Sequence, residues 1–427
     1  MDVMIATDLT KYLLIRMGIK MKNAIVAQSG GPTVVINSAL AGVLTRAAES
    51  EKIGTVYGAV NGVQGLLDRR IINLSEILND EEKLRTLKNT PSMFLGSCRY
   101  KLSESSLASD YKKVIEILEE YDIGYFFYIG GNDSMDTVKK LSHYVREIGS
   151  DIKVMGIPKT IDNDLPVTDH APGYGSAARY IATSVLEMAH DTYIYDTESI
   201  LIVEIMGRDA GWLTASSALA RNSYSAAPHL IYLPETSFDD NRFLADIRKA
   251  ITKRKHLVIA VSEGIRYEDG KYVSANSDVR DQFGHPVLSG VGKYLETLVK
   301  HGIGCKVRSV EINVLQRCAA HLASATDIEE SFTLGAKAVS AALEGENGKM
   351  AIIKRTADDP YKIIYDLADI DGIANLAKPV PIEFIGKENN DVTDEFITYA
   401  LPLIQGAPEV RYENSLPVYL SVAHLDN

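Results

Sequence analysis

The sequence predicts an α/β protein made of two doubly wound, Rossmann-like α/β domains, with the active site in the cleft between them. Short apolar runs typical of buried strands alternate with amphipathic helical stretches along most of the chain. Three consecutive strands in the first half each end in a polar loop that contains glycine or aspartate. Ligands of open α/β sheets bind at the carboxyl ends of the strands, so we expect these loops to meet at one edge.

Composition limits the class of protein and its partners. The chain has 427 residues, enough for two domains, and its net charge of −12 argues against nucleic acid or an anionic membrane as a main partner. Three widely spaced cysteines favour reduced thiols, and no apolar run is long enough to cross a bilayer, so we expect a cytoplasmic protein. Residues 1–21 lack the basic start of a signal peptide and are interpreted as an N-terminal extension.

The first strand, Asn23 to Gln28, is followed by the turn Ser29-Gly30-Gly31-Pro32-Thr33 and by a helical pattern from Val35 to about Ala48. In a strand, glycine turn and helix of this kind, backbone N–H groups and the helix N-terminus can meet a phosphate. A glycine-closed turn with no ligand is an equally common reading of one such motif. This turn therefore indicates a phosphate site only if the neighbouring loops also carry ligand-binding residues.

Two further loops carry candidate side chains. Leu95 to Tyr100 is a glycine turn that presents Arg99, which by itself could be a surface charge. The apolar strand Tyr125 to Ile129 ends in Gly130-Gly131-Asn132-Asp133-Ser134, before a helix predicted from Thr137. Asn132 and Asp133 supply oxygen atoms of the kind that bind Mg²⁺.

The stretch Pro158-Lys159-Thr160-Ile161-Asp162-Asn163-Asp164 concentrates the most chemistry. It directly follows the apolar run Val154 to Ile157, which reads as a buried strand. Two carboxylates, an amide, a hydroxyl and an ammonium are therefore delivered to a strand's carboxyl end. A solvated loop can have a similar composition, but rarely behind a core strand.

The second half repeats the pattern. Strand Ser199 to Ile205 leads to Met206-Gly207-Arg208, strand His256 to Val261 leads to Glu263, and the strand-like run Lys306 to Arg317 carries Arg308 and Arg317. Glu204 is interpreted as an interior carboxylate and Trp212 as a packing residue.

Between the halves, Gly173 to Ala178 fits GxGxxA. A dinucleotide fingerprint should directly follow a strand, whereas this segment follows a polar loop. We therefore interpret it as the start of a helix, with Asp169 and His170 as candidate helix-capping residues.

After Met21 the chain resembles the phosphofructokinase family over nearly its whole length. The resemblance rests on motifs in family order: SGGPT at 29–33, GSCR ending at Arg99, GGNDS at 130–134, PKTIDND at 158–164, MGR at 206–208, SEGIR at 262–266 and LQR at 315–317. Two residues make it similar to the pyrophosphate-dependent branch: Asp133 and Lys159 stand where ATP-dependent relatives have glycine. A carboxylate at 133 would repel the nucleotide side of ATP, and an ammonium at 159 suits a compact diphosphate.

The resemblance implies a role for each motif in a reversible phosphoryl transfer from pyrophosphate to the 1-hydroxyl of fructose 6-phosphate, a step of glycolysis and gluconeogenesis. Asp162 would be the base, with Lys159 and Asp133 as further catalytic residues. The diphosphate would be held by Gly31, Arg99 and Lys159. The fructose 6-phosphate side would comprise Thr160, Ile161, Asp162, Met206, Gly207, Arg208, Glu263, Arg308 and Arg317, the last two at the distal 6-phosphate. The base would need no raised pKa, because the sugar oxygen loses its proton late in a loose transition state.

The family also implies Mg²⁺ and a homo-oligomer, either a dimer or a tetramer. Asn132 is the metal candidate, with Asp164 as a second candidate acting through water. Asn132 departs from the family pattern, in which aspartate is common, and so do Ser199 and Val314. The last two changes bear on how the 6-phosphate is held and on whether a neighbouring subunit contributes.

The predicted domain organisation follows the motifs. Residues 22–175 with 315–365 form the phosphate-donor domain, residues 176–314 form the sugar-phosphate domain, and residues 366–427 form a C-terminal segment packed on the core. Two alternatives stay open: an ATP-dependent phosphofructokinase, and a non-catalytic regulatory subunit that binds sugar phosphate. The intact Lys159, Asp162 and Asp164 argue against the regulatory subunit.

Overall fold

The computed structural model describes residues 21–105, 107, 109–273 and 290–422. Thirteen strands lie in these ranges: β1 Lys22–Gln28, β2 Ile53–Ala59, β3 Ile71–Asn73, β4 Ile123–Gly130, β5 Lys153–Pro158, β6 Ser199–Ile205, β7 Leu230–Tyr232, β8 His256–Ser262, β9 Lys306–Glu311, β10 Lys349–Asp358, β11 Tyr361–Asp369, β12 Tyr412–Glu413 and β13 Leu416–Pro417. They form a seven-stranded sheet, a four-stranded sheet and a short hairpin.

Twelve α-helices lie in the same ranges: α1 Ile36–Ala48, α2 Gly62–Leu67, α3 Leu74–Ile77, α4 Glu81–Lys88, α5 Ser109–Glu120, α6 Asn132–Glu147, α7 Tyr174–Thr192, α8 Trp212–Ser216, α9 Asp240–Ile251, α10 Val291–Gly302, α11 Ala325–Leu343 and α12 Asp394–Ala400. Short 3-10 helices occupy Ser217–Ala220, Asn313–Arg317, Ala320–Leu322, Ile370–Gly372, Ile382–Phe384 and Leu401–Ile404. None of the helices in the described ranges is long and apolar enough to cross a membrane.

The larger sheet has the strand order β11-β10-β5-β4-β1-β2-β3. Strands β10, β5, β4, β1 and β2 are mutually parallel, and β11 and β3 are antiparallel edge strands. Apolar clusters cover both faces of this sheet, as expected for buried parallel strands. The parallel arrangement places the carboxyl ends of β1, β4 and β5 side by side.

The smaller sheet has the order β7-β8-β6-β9 and is parallel throughout. Its two faces also pack into apolar clusters. The two α/β sheets confirm the predicted fold class. They draw their strands from residues 22–158 with 349–369 and from residues 199–311, respectively. The finer domain boundaries stay a prediction.

The C-terminal segment packs partly on the smaller sheet's cluster. Phe396 and Leu403 are buried against the same apolar cluster as Trp212. The Trp212 ring contacts Phe384 and Tyr399, and its indole N–H donates to the carbonyl of Lys378 at 2.9 Å. The predicted packing role of Trp212 is thus observed.

Two element predictions need correction. The strand expected over Lys306 to Arg317 ends at Glu311, and Arg317 belongs to a 3-10 helix. The break lets Arg317 turn away from the line of the strand. Helix α6 begins at Asn132, five residues before its predicted start at Thr137, so Asn132, Asp133 and Ser134 of the GGNDS motif lie in the first turn of the helix.

Candidate active site

The candidate active site is a cleft between the carboxyl ends of the two sheets, with a cavity of about 380 Å³. The larger sheet contributes the loops after β1, β4 and β5, and the smaller sheet the loops after β6, β8 and β9. The lining residues are Gly30, Gly31, Pro32, Gly131, Asn132, Asp133, Ser134, Lys159, Thr160, Ile161, Asp162, Asp164, Met206, Arg208, Asp209, Ala210, Glu263, Arg317 and Ala377.

Lys159 lies against the glycine turn that follows β1. Its ammonium donates a hydrogen bond of 2.5 Å to the carbonyl oxygen of Gly31. Two observations favour glycine at position 30: its φ is +86°, and a Cβ added there would lie only 3.2 Å from Nζ of Lys159. Hydroxyl contacts hold the turn: Ser29 bonds Ser134 at 2.9 Å, and Ser97 donates to the Gly30 carbonyl at 2.8 Å.

Lys159 is 2% exposed, although its side chain ends in a charge. Burial lowers its pKa to about 8, while the nearby carboxylates of Asp162 and Asp164 act in the opposite direction. A buried ammonium is costly unless anions surround it. Its position between a glycine turn and two carboxylates therefore suits a bound anion such as phosphate.

Asp162 and Asp164 are the two carboxylates of the cleft floor. Burial, followed by the charge of Asp164, raises the pKa of Asp162 to about 7. Burial likewise raises the pKa of Asp164. From the sequence we expected only that the base would need no raised pKa. The shift itself could not be predicted, because a pattern of residues does not reveal how deeply two carboxylates are buried.

The rest of the 158–164 loop fixes its shape. The backbone N–H of Asp162 donates to the Thr160 hydroxyl at 3.1 Å. Asn163 is fully buried with φ of +54°, and its amide donates to the Tyr399 hydroxyl and accepts from the Ala171 N–H. Asn163 is therefore a scaffold residue within a motif of functional ones.

The first turn of α6 forms another wall. Asp133 pairs with Lys101, Nζ to Oδ1 at 2.9 Å, which links the helix to the loop that carries Arg99. Arg99 is exposed on that loop and is not among the lining residues. The side chain of Asn132 bonds the backbone of the C-terminal segment at both ends: Oδ1 accepts from the Asn375 N–H at 2.9 Å, and Nδ2 donates to the Leu376 carbonyl.

The smaller sheet supplies Met206, Gly207, Arg208 and Glu263. The Gly207 N–H donates to Glu263 at 3.4 Å, and Gly207 has φ of +143°, which favours glycine. Burial raises the pKa of Glu263 to about 7. Nε of Arg208 is buried and has no hydrogen-bond partner among the described residues. An orphaned guanidinium N–H at the cleft wall is suited to an anionic ligand.

The structure separates the two arginines that the sequence assigns to the 6-phosphate. Arg317 lines the cleft, and its Nη1 lies 3.6 Å from where a Cβ of Gly31 would be, close to the glycine turn. Arg308 lies outside the cleft on β9, and its guanidinium donates to Asp191 at 3.0 Å. Whether either arginine binds the 6-phosphate stays a prediction.

The sequence motifs did not single out some residues near the cleft. Asp209 lines the cleft and pairs with Arg266. Ala377 also lines it, although more than two hundred residues separate it from the 158–164 loop. Lys378 follows, and its backbone N–H donates to the Asp164 carbonyl at 2.7 Å. Only the position of Asp209 beside Arg208 could have pointed to it.

Asp327 and Glu204, two carboxylates outside the cleft, have structural roles. Asp169 and His170 do not cap helix α7. Instead Asp327, from α11, accepts from the N–H groups of Gly173 and Ser176. Glu204 is an interior carboxylate, as predicted, and accepts from the Gly292 N–H at 2.7 Å.

Glycine turns, a buried lysine, an orphaned arginine donor and paired carboxylates at the edges of two α/β sheets are typical of an enzyme that transfers phosphoryl groups. A family model described as Phosphofructokinase matches residues 23–342. The chain belongs to the phosphofructokinase family.

Within that family the chain is similar to pyrophosphate-dependent members. It is 40% identical over 405 residues to the pyrophosphate--fructose 6-phosphate 1-phosphotransferase of Halomonas elongata, over 94% of this chain and 96% of that one. The protein of the same name from Xanthomonas campestris is 41% identical over 409 residues, with the same coverage of both chains. The crystal structure of the pyrophosphate-dependent phosphofructokinase of Nitrosospira multiformis superposes with a TM-score of 0.85 at 38% identity, covering 94% of this chain and 96% of that one.

Proposed function

We propose that this protein is an enzyme that transfers a phosphoryl group reversibly from pyrophosphate to the 1-hydroxyl of fructose 6-phosphate. The products are fructose 1,6-bisphosphate and phosphate. The observation that carries the proposal is the buried ammonium of Lys159, which lies between the Gly31 turn and the Asp162–Asp164 pair. The names of the relatives at about 40% identity support the same activity.

Asp162 is the proposed base. Its carboxylate accepts the proton of the 1-hydroxyl as the sugar oxygen forms a bond to the transferring phosphorus, and the bond to the bridging oxygen of the diphosphate breaks. The raised pKa of Asp162 brings it close to neutrality, where a base is effective and can return the proton in the reverse reaction. Burial of the cleft favours this step because preorganised charges act more strongly away from water.

The donor end is proposed to comprise Gly31, Arg99 and Lys159. Backbone groups of the glycine turn and the ammonium of Lys159 hold the diphosphate, and Arg99 approaches the transferring group from the neighbouring loop. Asp133 has the further role of excluding nucleotides, since its carboxylate, paired with Lys101, lies in the first turn of α6.

The acceptor end is proposed to bind fructose 6-phosphate. Glu263 accepts hydrogen bonds from sugar hydroxyls, and the free Nε of Arg208 donates to phosphate. Arg308 lies outside the cleft of its own chain, so it can bind the 6-phosphate only across a contact between two copies. The remaining residues assigned to this end are Thr160, Ile161, Asp162, Met206, Gly207 and Arg317.

The donor set fits Mg²⁺. Burial and the charge of Asp164 raise the pKa of Asp162, and burial raises the pKa of Asp164, so a dication would stabilise the charged form of both carboxylates. Within the described residues no three acidic, histidine or cysteine side chains converge, which suits an ion held by one or two carboxylates together with substrate phosphates. Asp164, and Asn132 through its amide oxygen, would hold the ion, which when bound would neutralise charge on the diphosphate.

We further propose that the protein is a cytoplasmic homo-oligomer, a dimer or a tetramer. In this proposal residues 22–175 with 315–365 bind the donor and residues 176–314 bind the sugar phosphate. Residues 366–427 are a C-terminal segment packed on the core, and residues 1–21 are an N-terminal extension. Edge strand β9 and the turn after it expose Val310, Val314 and Leu315, and this apolar surface favours association.

A paired donor assay tests the function. With fructose 6-phosphate and Mg²⁺ present, the purified chain should turn over pyrophosphate at least 100-fold more efficiently than ATP. A preference for ATP would identify the ATP-dependent alternative. Absence of turnover with either donor, together with binding of fructose 6-phosphate in calorimetry, would identify a regulatory subunit.

A further inference from the structure

We propose that Lys378, in the C-terminal segment, is a positioning residue for phosphoryl transfer. It would act by holding the backbone at both ends of the stretch from Asp164 to Asp169. This inference rests on the proposed function and extends it to a segment with no recognised motif. It concerns residues 375–378, which we call the cleft strap.

The cleft strap joins three elements of the site. Its first residues are bonded to α6 through both ends of the Asn132 amide, and the Asn375 amide donates to Asp136 at 2.8 Å. Asn375 has φ of +65°, a conformation that asparagine tolerates better than most residues. Ala377 then faces the cavity beside the same helix turn.

Lys378 contacts the end of the 158–164 loop and the residues that follow it. Its backbone N–H donates to the carbonyl of Asp164 at 2.7 Å. Its ammonium donates to the carbonyls of Thr168 and Asp169 at 3.1 and 2.7 Å. One residue thus holds both ends of the stretch between Asp164 and Asp169.

Lys378 also contacts Trp212, on the side of the cleft that is proposed to bind the sugar phosphate. Its carbonyl accepts from the Trp212 indole at 2.9 Å, and its ammonium lies 5.1 Å from the centre of that ring. Trp212 begins α8, shortly after the Met206–Arg208 turn. The cleft strap therefore connects helix α6, the 158–164 loop and helix α8 through hydrogen bonds.

The presence of a lysine at position 378 also favours a functional role. An ammonium held mainly by carbonyl oxygens and a ring face is an expensive way to join two loops, because its desolvation is only partly offset. The charges of Asp169 and Asp164 are the ones that stabilise this ammonium, so its positive charge lies on the Asp164 side of the cleft floor. A misplacement of about 1 Å at such a site can lower turnover roughly 100-fold.

Lys378→Met tests the proposal, because it keeps the length of the side chain and removes the charge and donors. We expect kcat for the pyrophosphate reaction to fall about 10- to 100-fold, while KM for each substrate stays within threefold. Lys378→Arg, which keeps charge and donors, should recover at least a third of the wild-type kcat. Lys387→Met is the matched control in the same segment, since Lys387 is exposed, and it should keep wild-type kinetics.

The outcomes separate this inference from the proposed function. A wild-type chain without pyrophosphate activity would end the proposed function itself. An active wild type with an equally active Lys378→Met, or with a loss confined to KM, would overturn only the role of Lys378. If Lys378→Met does not fold, Asn375→Ala decides, since Asn375 is exposed: lower kcat at unchanged KM supports the cleft strap, and wild-type kcat overturns it.

Discussion

The ammonium of Lys159 donates a 2.5 Å hydrogen bond to the carbonyl oxygen of Gly31, joining the loops after β5 and β1. These strands are not neighbours in the sheet, because β4 lies between them. The lysine therefore reaches across one strand to the turn that is proposed to cradle the diphosphate. A lysine at this position can replace the contact to Gly31 with contacts to a phosphate without moving its backbone.

Removing the charges at the donor end should change the donor. The double variant Asp133→Gly with Lys159→Gly should lose roughly 100-fold in kcat/KM for pyrophosphate, about the cost of one charged contact. It should also gain measurable turnover with ATP, because the carboxylate that is proposed to repel a nucleotide is gone. Initial rates with each donor provide the measurement, and Lys112→Met, at an exposed site on α5, is the control. Unchanged pyrophosphate kinetics would refute the selectivity argument.

Replacing Asp162, the proposed base, should lower turnover by orders of magnitude without unfolding the protein. Asp162→Ala should keep its circular dichroism spectrum and lose roughly 10³-fold or more in kcat, as is usual for a lost general base. Asp151→Ala is a suitable control, because Asp151 is exposed near the opposite end of the same sheet. Near-normal turnover of Asp162→Ala would exclude Asp162 as the base.

The two arginines should have distinct kinetic effects. Arg317 lies beside the glycine turn, so Arg317→Met should raise KM for pyrophosphate about tenfold, in addition to any effect on the sugar phosphate. Arg308→Met should leave KM for pyrophosphate unchanged and raise only KM for fructose 6-phosphate. Steady-state kinetics over a range of both substrates would test this. An unchanged KM for pyrophosphate in Arg317→Met would show that its proximity to Gly31 has no functional meaning.

His170 should make stability depend on pH. Its Nδ1 lies 2.7 Å from Asp169 and its Nε2 2.6 Å from Glu330. Burial alone lowers the pKa of His170, but the two carboxylates outweigh burial and raise that pKa to about 9. Arg355 also binds Asp169, and the Tyr361 hydroxyl donates to Glu330, so the cluster spans the α7–α11 region and strands β10 and β11.

The pKa of His170 is higher in the folded protein than in the unfolded chain, so the charged imidazole stabilises the fold. This stabilisation is fully present below the unfolded pKa of about 6.5 and is lost as pH rises through about 9. The difference in unfolding free energy between wild type and His170→Gln should therefore shrink by on the order of 3 kcal/mol between these pH values. Urea denaturation at several pH values measures it. A constant difference across the window would mean that the imidazole is neutral in the folded protein.

The sequence by itself determined the family chemistry of this protein. The loops at 29–33, 130–134, 158–164 and 206–208 each follow an apolar strand, and parallel strands leave few ways to arrange such loops. Their convergence on one cleft was therefore predictable. Asp133 and Lys159 could be proposed as donor-selecting residues because each is a local departure from glycine.

Only the tertiary structure decided the rest. The burial that shifts the pKa of Asp162, the arrival of Lys378 behind Asp164, and the position of Arg308 outside the cleft all depend on packing between segments distant in sequence. Local propensity and periodicity carry no information about such contacts, because each is set by how whole elements pack. The motifs thus specify the reaction, and the fold decides how tightly the reacting groups are held.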